Sequence, residues 1–271
     1  MVAEMKSRGA GGAATEGAPE VVAAGRGWIA LDKPAGMSVH NDPGTDLISL
    51  LRQRLGSDAA LAAACGFRPG DPIQPVHRLD RDTSGLVLVA VAPGTVRDLM
   101  AVFAARQVEK TYLAVVHGTL GSPGGQGRWE RPLSHGPGGR RRPAGPPPRR
   151  DARTAYRVLA QGNGFTLLTC RPETGRKHQI RRHACLAGHP LAGDRRYGPE
   201  AWAAALARQG FRRLALHAWR LEFTLPGEGA AHLLETGEPA PHLTLYSAGL
   251  QNVAHEGGMP QPGGVRCPAA P

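Results

Sequence analysis

Between His77 and Ser84 the chain sets seven polar side chains in eight positions: His77, Arg78, Asp80, Arg81, Asp82, Thr83 and Ser84, with Leu79 as the apolar exception. A single turn needs fewer polar groups than this. Asp80 alone would be read as a turn former or a cap. In this company it is the candidate carboxylate of a reactive loop, able to act as a base or as a nucleophile. Leu86 to Val89 follow Gly85 as an unbroken apolar run, the pattern of a strand buried on both faces. Asp80 is therefore expected in the loop that leads into a core strand.

A second chemistry competes with carboxylate chemistry. His77, His178, His183 and His189 together with Asp80 could suggest a metal-dependent nuclease, but the chain contains no HExxH or comparable pair. His178 and His183 are five positions apart on an expected helix and would point away from each other. No metal ligands and no cofactor are expected.

The elements that must position these groups follow from periodicity. Residues 1–26 are Gly- and Ala-rich without sustained pattern and read as a flexible arm, with folded structure starting at Gly27. Trp28 to Leu31 suggest a strand ended by DKPAG. Asp46 is placed to cap a helix in which Leu47, Leu50, Leu51 and Leu55 recur at helical spacing. A helix is expected over 94–106 and a strand over 108–117, on which Lys110 and Tyr112 share one side because strand side chains alternate. Strands are expected at 153–160, 165–171 and 213–223, and helices at 177–187 and 199–208.

Two segments break the pattern. Residues 119–150 are so rich in Gly, Pro and Arg that a short hairpin followed by a mobile basic loop is expected. Arg140, Arg141, Arg142, Arg149 and Arg150 there would either grip phosphates or form a solvated run. Residues 249–271 read as a disordered tail. Strands dominate and helices are interspersed, which suggests an α+β domain on a mostly antiparallel sheet.

The chain carries 33 Lys and Arg against 22 Asp and Glu, a formal charge of +11, as expected of a protein that meets a polyanion. Four scattered cysteines without a CxxC pair argue against a zinc ribbon or a disulfide framework. No run approaches a membrane span and no signal-peptide core is visible, so a cytoplasmic address and no membrane partner are expected.

HRLDRDTSG at 77–85 resembles the signature of the RluA-type pseudouridine synthases. DKPAGMSVH at 32–40, EKTYLAVVHG at 109–118, ETGRKHQIRRHACLAGHPLAGDRRYG at 173–198 and RLALHAWRLEF at 213–223 resemble further segments of that family in the same order. The resemblance covers roughly residues 27–225. It implies the pseudouridine synthase fold over 27–248, with a mixed, mostly antiparallel sheet, flanking helices and a central active-site cleft.

It also implies a reaction: isomerisation of a uridine in structured RNA, ribosomal or transfer, without cofactor. Asp80 is then the catalytic carboxylate, as nucleophile on the anomeric carbon or as base on the sugar. Arg181 would aim it through a bidentate fork, and Tyr112 and Ile180 would sandwich the base. Arg78 would fill the stack the flipped nucleotide leaves. His77, Thr83, Lys110, Arg176 and Lys177 are grouped with Arg78 and Ile180 as RNA contacts, and Arg182 is expected to touch phosphate or water. The protein is expected to act as a monomer without an obligate protein partner. A non-catalytic structured-RNA-binding protein is the alternative.

Overall fold

The structure is a computed structural model that describes residues 19–162 and 164–236. In chain order the elements are β1 (Glu20–Gly25), β2 (Trp28–Lys33), α1 (Leu47–Ser57), α2 (Ala59–Cys65), β3 (Gln74–Pro75), β4 (Ser84–Ala90), α3 (Pro93–Ala104) and β5 (Glu109–His117). There follow β6 (Gln126–Trp129), β7 (Leu133–Ser134), β8 (Arg149–Arg150), β9 (Thr154–Gly162), β10 (Phe165–Pro172), α4 (Gln179–Leu186), α5 (Glu200–Arg208), β11 (Leu216–Phe223) and β12 (His232–Glu235). The expected α+β architecture is observed. No helix among the described residues is long and apolar enough to cross a membrane.

The main sheet runs β1-β2-β4-β11-β5-β10-β9-β6, with β12 added beside β11 and β3 beside β4. Every strand pairing among the described residues is antiparallel except β4 with β11. At that parallel seam His217 lies opposite Ser84 and Ala218 opposite Gly85. Gly85 has φ +110, and a Cβ on it would stand 2.2 Å from the Ala218 carbonyl oxygen. Only glycine lets the loop carrying Asp80 enter the sheet this close to β11.

β4 is buried along its whole length, as its apolar run predicts. Leu86 and Leu88 pack with Trp28, Leu99 and Val102 beneath α3, while Val87 and Val89 pack with Ile29, Leu47 and Leu51 beneath α1. β5 is covered in the same way: Ala114 and Val116 join Ile180 and Ala184 of α4, and Leu113 and Val115 join Leu206 of α5. Each buried Val, Leu or Ile side chain among these contributes about 1.5–3 kcal/mol of transfer free energy. Tyr112 packs against both the α1 cluster and the α4 cluster, which places it where the two halves of the sheet meet. The Asp46 cap is observed, its carboxylate accepting from Ser49 N at 2.8 Å.

Two expectations about organisation are corrected. The arm expected through residue 26 includes a strand: β1 forms a hairpin with β2 through Arg26 and Gly27, the latter at φ +83. Its half-buried Val21, Val22 and Ala23 pack at a sheet edge, where one strand face meets little and the sequence pattern is weak. The basic loop expected to be mobile within 119–150 is packed. β6 pairs with β9, β7 pairs with β8, and Leu133, Ala144 and Ala152 form a small core under it. The expected tail at 249–271 lies outside the described residues.

Candidate active site

Asp80 sits at the floor of an open cleft of about 520 Å³ between the β4–β11 seam and the start of α4. Lys33 holds the shape of its loop from below. Lys33 is fully buried, and its Nζ donates to the carbonyls of Pro34, Met37 and Arg81 at 2.8, 2.8 and 3.0 Å. Burial pushes that ammonium down to about 8, against the pull of Asp82 and Asp80. The DKPAG segment thus serves as a platform under the reactive loop, and Thr83 closes the loop by donating its N–H to the Asp80 carbonyl at 3.1 Å.

Arg181 reaches Asp80 from α4, with Nη1 3.4 Å from Oδ2. The bidentate fork expected at Asp80 is made elsewhere. Arg181 Nε and Nη2 each donate at 2.9 Å to the carboxylate of Asp194, which is almost fully buried. Asp194 also accepts the backbone N–H groups of Arg196 and Tyr197, at 2.9 and 3.1 Å. Burial works against the charge on Arg181, but Asp194 and then Asp80 outweigh it and keep the guanidinium ionised. The Tyr197 ring lies 5.4 Å below that guanidinium.

Burial raises the Asp80 carboxyl above its ordinary range, with Arg181 opposing. Tyr112 lines the same cleft, and burial followed by the Asp80 charge pushes its hydroxyl well up. It stays protonated at neutral pH, so it offers an aromatic face and a hydroxyl, not a phenolate base. Ile180 is buried in the wall nearby, in the same apolar cluster as Tyr112. The cleft can therefore hold a flat apolar ring between its walls with a carboxylate at one end.

A family model described as RNA pseudouridylate synthase matches residues 27–185. The chain belongs to that family.

Among curated relatives, the chain is 40% identical over 229 residues to the ribosomal large subunit pseudouridine synthase D of Nitrosomonas europaea, covering 84% of this chain and 64% of that protein. It is 40% identical over 198 residues to an uncharacterized RNA pseudouridine synthase of Chloroflexus aurantiacus, with 73% and 59% covered. The chain thus spans about 60% of the length of these relatives. Among solved structures, human RNA pseudouridylate synthase domain containing 1 aligns with a TM-score of 0.66 at 22% identity, covering 83% of this chain and 86% of that one. Human RNA pseudouridylate synthase domain containing 4 aligns with a TM-score of 0.61 at 23% identity, covering 83% and 91%. These likenesses establish the pseudouridine synthase fold.

In this pseudouridylate synthase fold the cleft gathers most of the residues singled out from the sequence. Arg78, Asp80, Thr83, Lys110, Tyr112, Arg176, Lys177, Ile180 and Arg181 all line it, from loops and elements up to a hundred residues apart. Arg78 is exposed at the opening, and Lys110 hangs over the Phe103 ring at 5.8 Å. Arg176 donates to the Asp151 carbonyl at 3.2 Å.

His77 does not belong to the cleft. Its Nε2 accepts the Leu88 N–H at 2.9 Å, its ring stacks on Phe103, and burial pushes it down to about 3. A ring spent on the backbone of β4 is a structural part of the strand, placed outside the cleft in which its RNA contact was expected.

Arg182 was expected at phosphate or water and is fully buried instead. It donates to the carbonyls of Pro143 and Ala144 at 2.6 Å each and to Ser134 O at 3.1 Å, tying the 133–150 segment to α4. The arginines of that segment divide. Arg140 is held by the carbonyls of Gly198 and Arg195 and by Glu200, Arg149 by the Gly145 carbonyl, and Arg150 borders the cleft.

One residue of the site has no place in the sequence reading, and another enters it only as a rejected metal ligand. Asp194 carries a signal, being the sole acidic residue between Glu173 and Glu200 in a strongly basic stretch. His178 is weighed in the sequence only as a metal ligand on a helix, and its backbone does not follow that helix. It caps α4 in the left-handed region at φ 54, and this turn aims its ring at Asp80, Nε2 to Oδ1 3.4 Å. Among the described residues no group of three His, Cys, Asp or Glu side chains is gathered as for a metal ion.

Proposed function

We propose that this chain is an RNA pseudouridine synthase, isomerising a uridine of structured RNA with Asp80 as the catalytic carboxylate. The observation that carries the reading is the Asp80 carboxylate, charge-paired by an arginine that is itself clamped, in a cleft walled by Tyr112 and Ile180. Isomerisation breaks the bond from sugar to nitrogen, turns the base and rejoins it through carbon. It needs a placed carboxylate beside the sugar and a surface on which the uracil can turn, and no redox partner.

In this reading Arg181 aims Asp80, Tyr112 stacks on the uracil, and Ile180 forms the opposite wall. Arg78, Lys110, Arg176 and Lys177, with Arg150, meet phosphates around the flipped nucleotide. The substrate is ribosomal or transfer RNA, and the catalytic unit starts at β1, extends to about residue 248 and works in the cytoplasm as a monomer.

The test is Asp80→Asn. Pseudouridine mapping of total RNA with and without the protein identifies the target site, and the variant is then assayed on a transcript of that site. The variant is expected to bind the transcript within a few-fold of wild type and to form no pseudouridine. A substantially active variant would remove Asp80 from its role, and wild-type protein that binds RNA without forming pseudouridine would favour the non-catalytic alternative.

A further inference from the structure

Asp80 faces a second side chain besides Arg181, and the protonation of that side chain is dictated by a hydrogen-bond chain that runs through Tyr197. The Tyr197 hydroxyl lies between the Pro137 carbonyl and His178 Nδ1, the latter at 2.8 Å. A carbonyl can only accept, so the single phenolic hydrogen goes to Pro137. The Tyr197 oxygen is left as an acceptor, and His178 Nδ1 must supply the proton between them. Burial and then the charges of Arg181, Arg196 and Lys177 push His178 down to about 3, with Asp194 opposing, so the ring is neutral near pH 7. A neutral imidazole protonated at Nδ1 presents a bare lone pair at Nε2.

That lone pair stands 3.4 Å from Asp80 Oδ1. Among the described residues the donor to the Asp80 carboxylate is Arg181 Nη1, and it serves the other oxygen, Oδ2. Two acceptors thus face one another with no protein hydrogen between them, and an arriving hydroxyl can share its one hydrogen with both in a three-centre bond. The backbone supports this as a built position, since a non-glycine residue at φ 54 is uncommon and here is anchored through Nδ1 on Tyr197.

If the chain acts on a uridine, as proposed above, the anomeric carbon comes to rest beside Asp80. Within an RNA strand the 3′ and 5′ oxygens are esterified. The remaining ribose hydroxyl is the 2′, on the carbon next to the anomeric one, and it is the group by which a protein distinguishes RNA from DNA. We propose that His178 Nε2 and Asp80 Oδ1 form a twin acceptor for the 2′-hydroxyl of the target nucleotide, making His178 the residue that selects ribose and docks the sugar against the carboxylate. Tyr197 acts behind it as a positioning residue, holding the proton on the far nitrogen.

Two measurements test this, one independent of activity. Long-range proton–nitrogen NMR of labelled protein reads the tautomer of each histidine, and His178 is identified by the signal lost in His178→Asn. The Nδ1–H form is expected in wild type at neutral pH, relaxing toward Nε2–H in Tyr197→Phe. An Nε2–H form in wild type would overturn the proposal.

The second measurement is equilibrium binding of two synthetic RNAs copying the mapped target site, one with uridine and one with 2′-deoxyuridine at the target. Wild type is expected to prefer the ribose form by about tenfold, the worth of one hydrogen bond to a well-placed acceptor. His178→Asn keeps a residue tolerant of the left-handed backbone but is too short to reach Asp80, and its preference is expected to fall within about twofold. No preference in wild type, or one undiminished in His178→Asn, would refute the twin acceptor. Failure of wild type to convert the uridine RNA would instead count against the enzymatic reading and leave the tautomer result standing.

Discussion

Arg181 gives its two-pronged grip to Asp194 and only its remaining nitrogen to Asp80: Nε and Nη2 stand 2.9 Å from the Asp194 oxygens, while Nη1 stands 3.4 Å from Asp80 Oδ2. A guanidinium shared equally between two carboxylates would be free to follow either. Here the buried Asp194, itself held by two backbone N–H groups, locks the arginine, and the half-exposed Asp80 meets a charge that is already in place. The cost of orienting the arginine is met by the fold before any substrate arrives.

Asp194→Asn should therefore harm the site although Asp194 does not border the cleft. Removing its charge leaves Arg181 buried with a weakened partner, a loss of about 3 kcal/mol in stability. Denaturant unfolding would read that loss. Single-turnover pseudouridine formation should fall at least about a hundredfold through misplacement of Arg181, with RNA affinity nearly unchanged. A stable variant of normal rate would show that Asp80 is aimed by something else.

Arg182→Met should loosen the wall formed by residues 133–150. The carbonyls of Ser134, Pro143 and Ala144 would lose their charged donor, at about 1–3 kcal/mol for each acceptor left unsatisfied. Limited proteolysis is expected to cut the variant within this segment at protease levels that leave wild type intact. Arg182→Lys should rescue it only partly, because one ammonium cannot follow the planar fan of acceptors.

Gly85→Ala tests the parallel seam. The substitution demands φ +110 of an alanine and drives its Cβ into the Ala218 carbonyl, so the loop or β11 must move. A loss of at least about 3 kcal/mol is expected, as for other strained backbone sites, seen as a lowered midpoint of thermal unfolding or as insoluble protein. Gly36→Ala is the control for added bulk at a positive φ, because a Cβ there meets nothing within 4 Å.

Stability should fall in acid for a reason unrelated to the site. Burial pushes His77 down to about 3 and His117 and His217 to about 4, from an ordinary value of 6.5. Below 6.5 the unfolded chain takes up protons that the folded chain refuses. The stabilisation is complete above that value and drains away as pH falls toward 3–4. Unfolding midpoints measured from neutral pH downward should decline across this window, and His77→Gln, which removes one of the titrating rings, should flatten the slope. A slope unchanged in His77→Gln would mean that this ring is not held neutral, whereas the raised carboxyl of Asp32 titrates with the opposite sign in both proteins.

What the sequence determined by itself is what neighbouring residues decide together. The unbroken run at Leu86–Val89 announced a doubly covered strand, Asp46 ahead of a leucine-periodic stretch announced a capped helix, and the polar cluster at 77–84 announced the reactive loop, because each depends on spacing within a few positions. Tertiary structure alone decided which carboxylate Arg181 clasps, that Arg182 turns inward to hold a Gly- and Pro-rich segment whose composition suggested mobility, and that His77 serves the backbone of β4. Charged side chains accept burial only when partners from distant segments converge on them, and no local pattern records that convergence. His178 shows the limit most sharply: one residue leaving helical geometry at φ 54 turns its ring toward the carboxylate, where Tyr197, itself bonded to Pro137, holds it from across the fold.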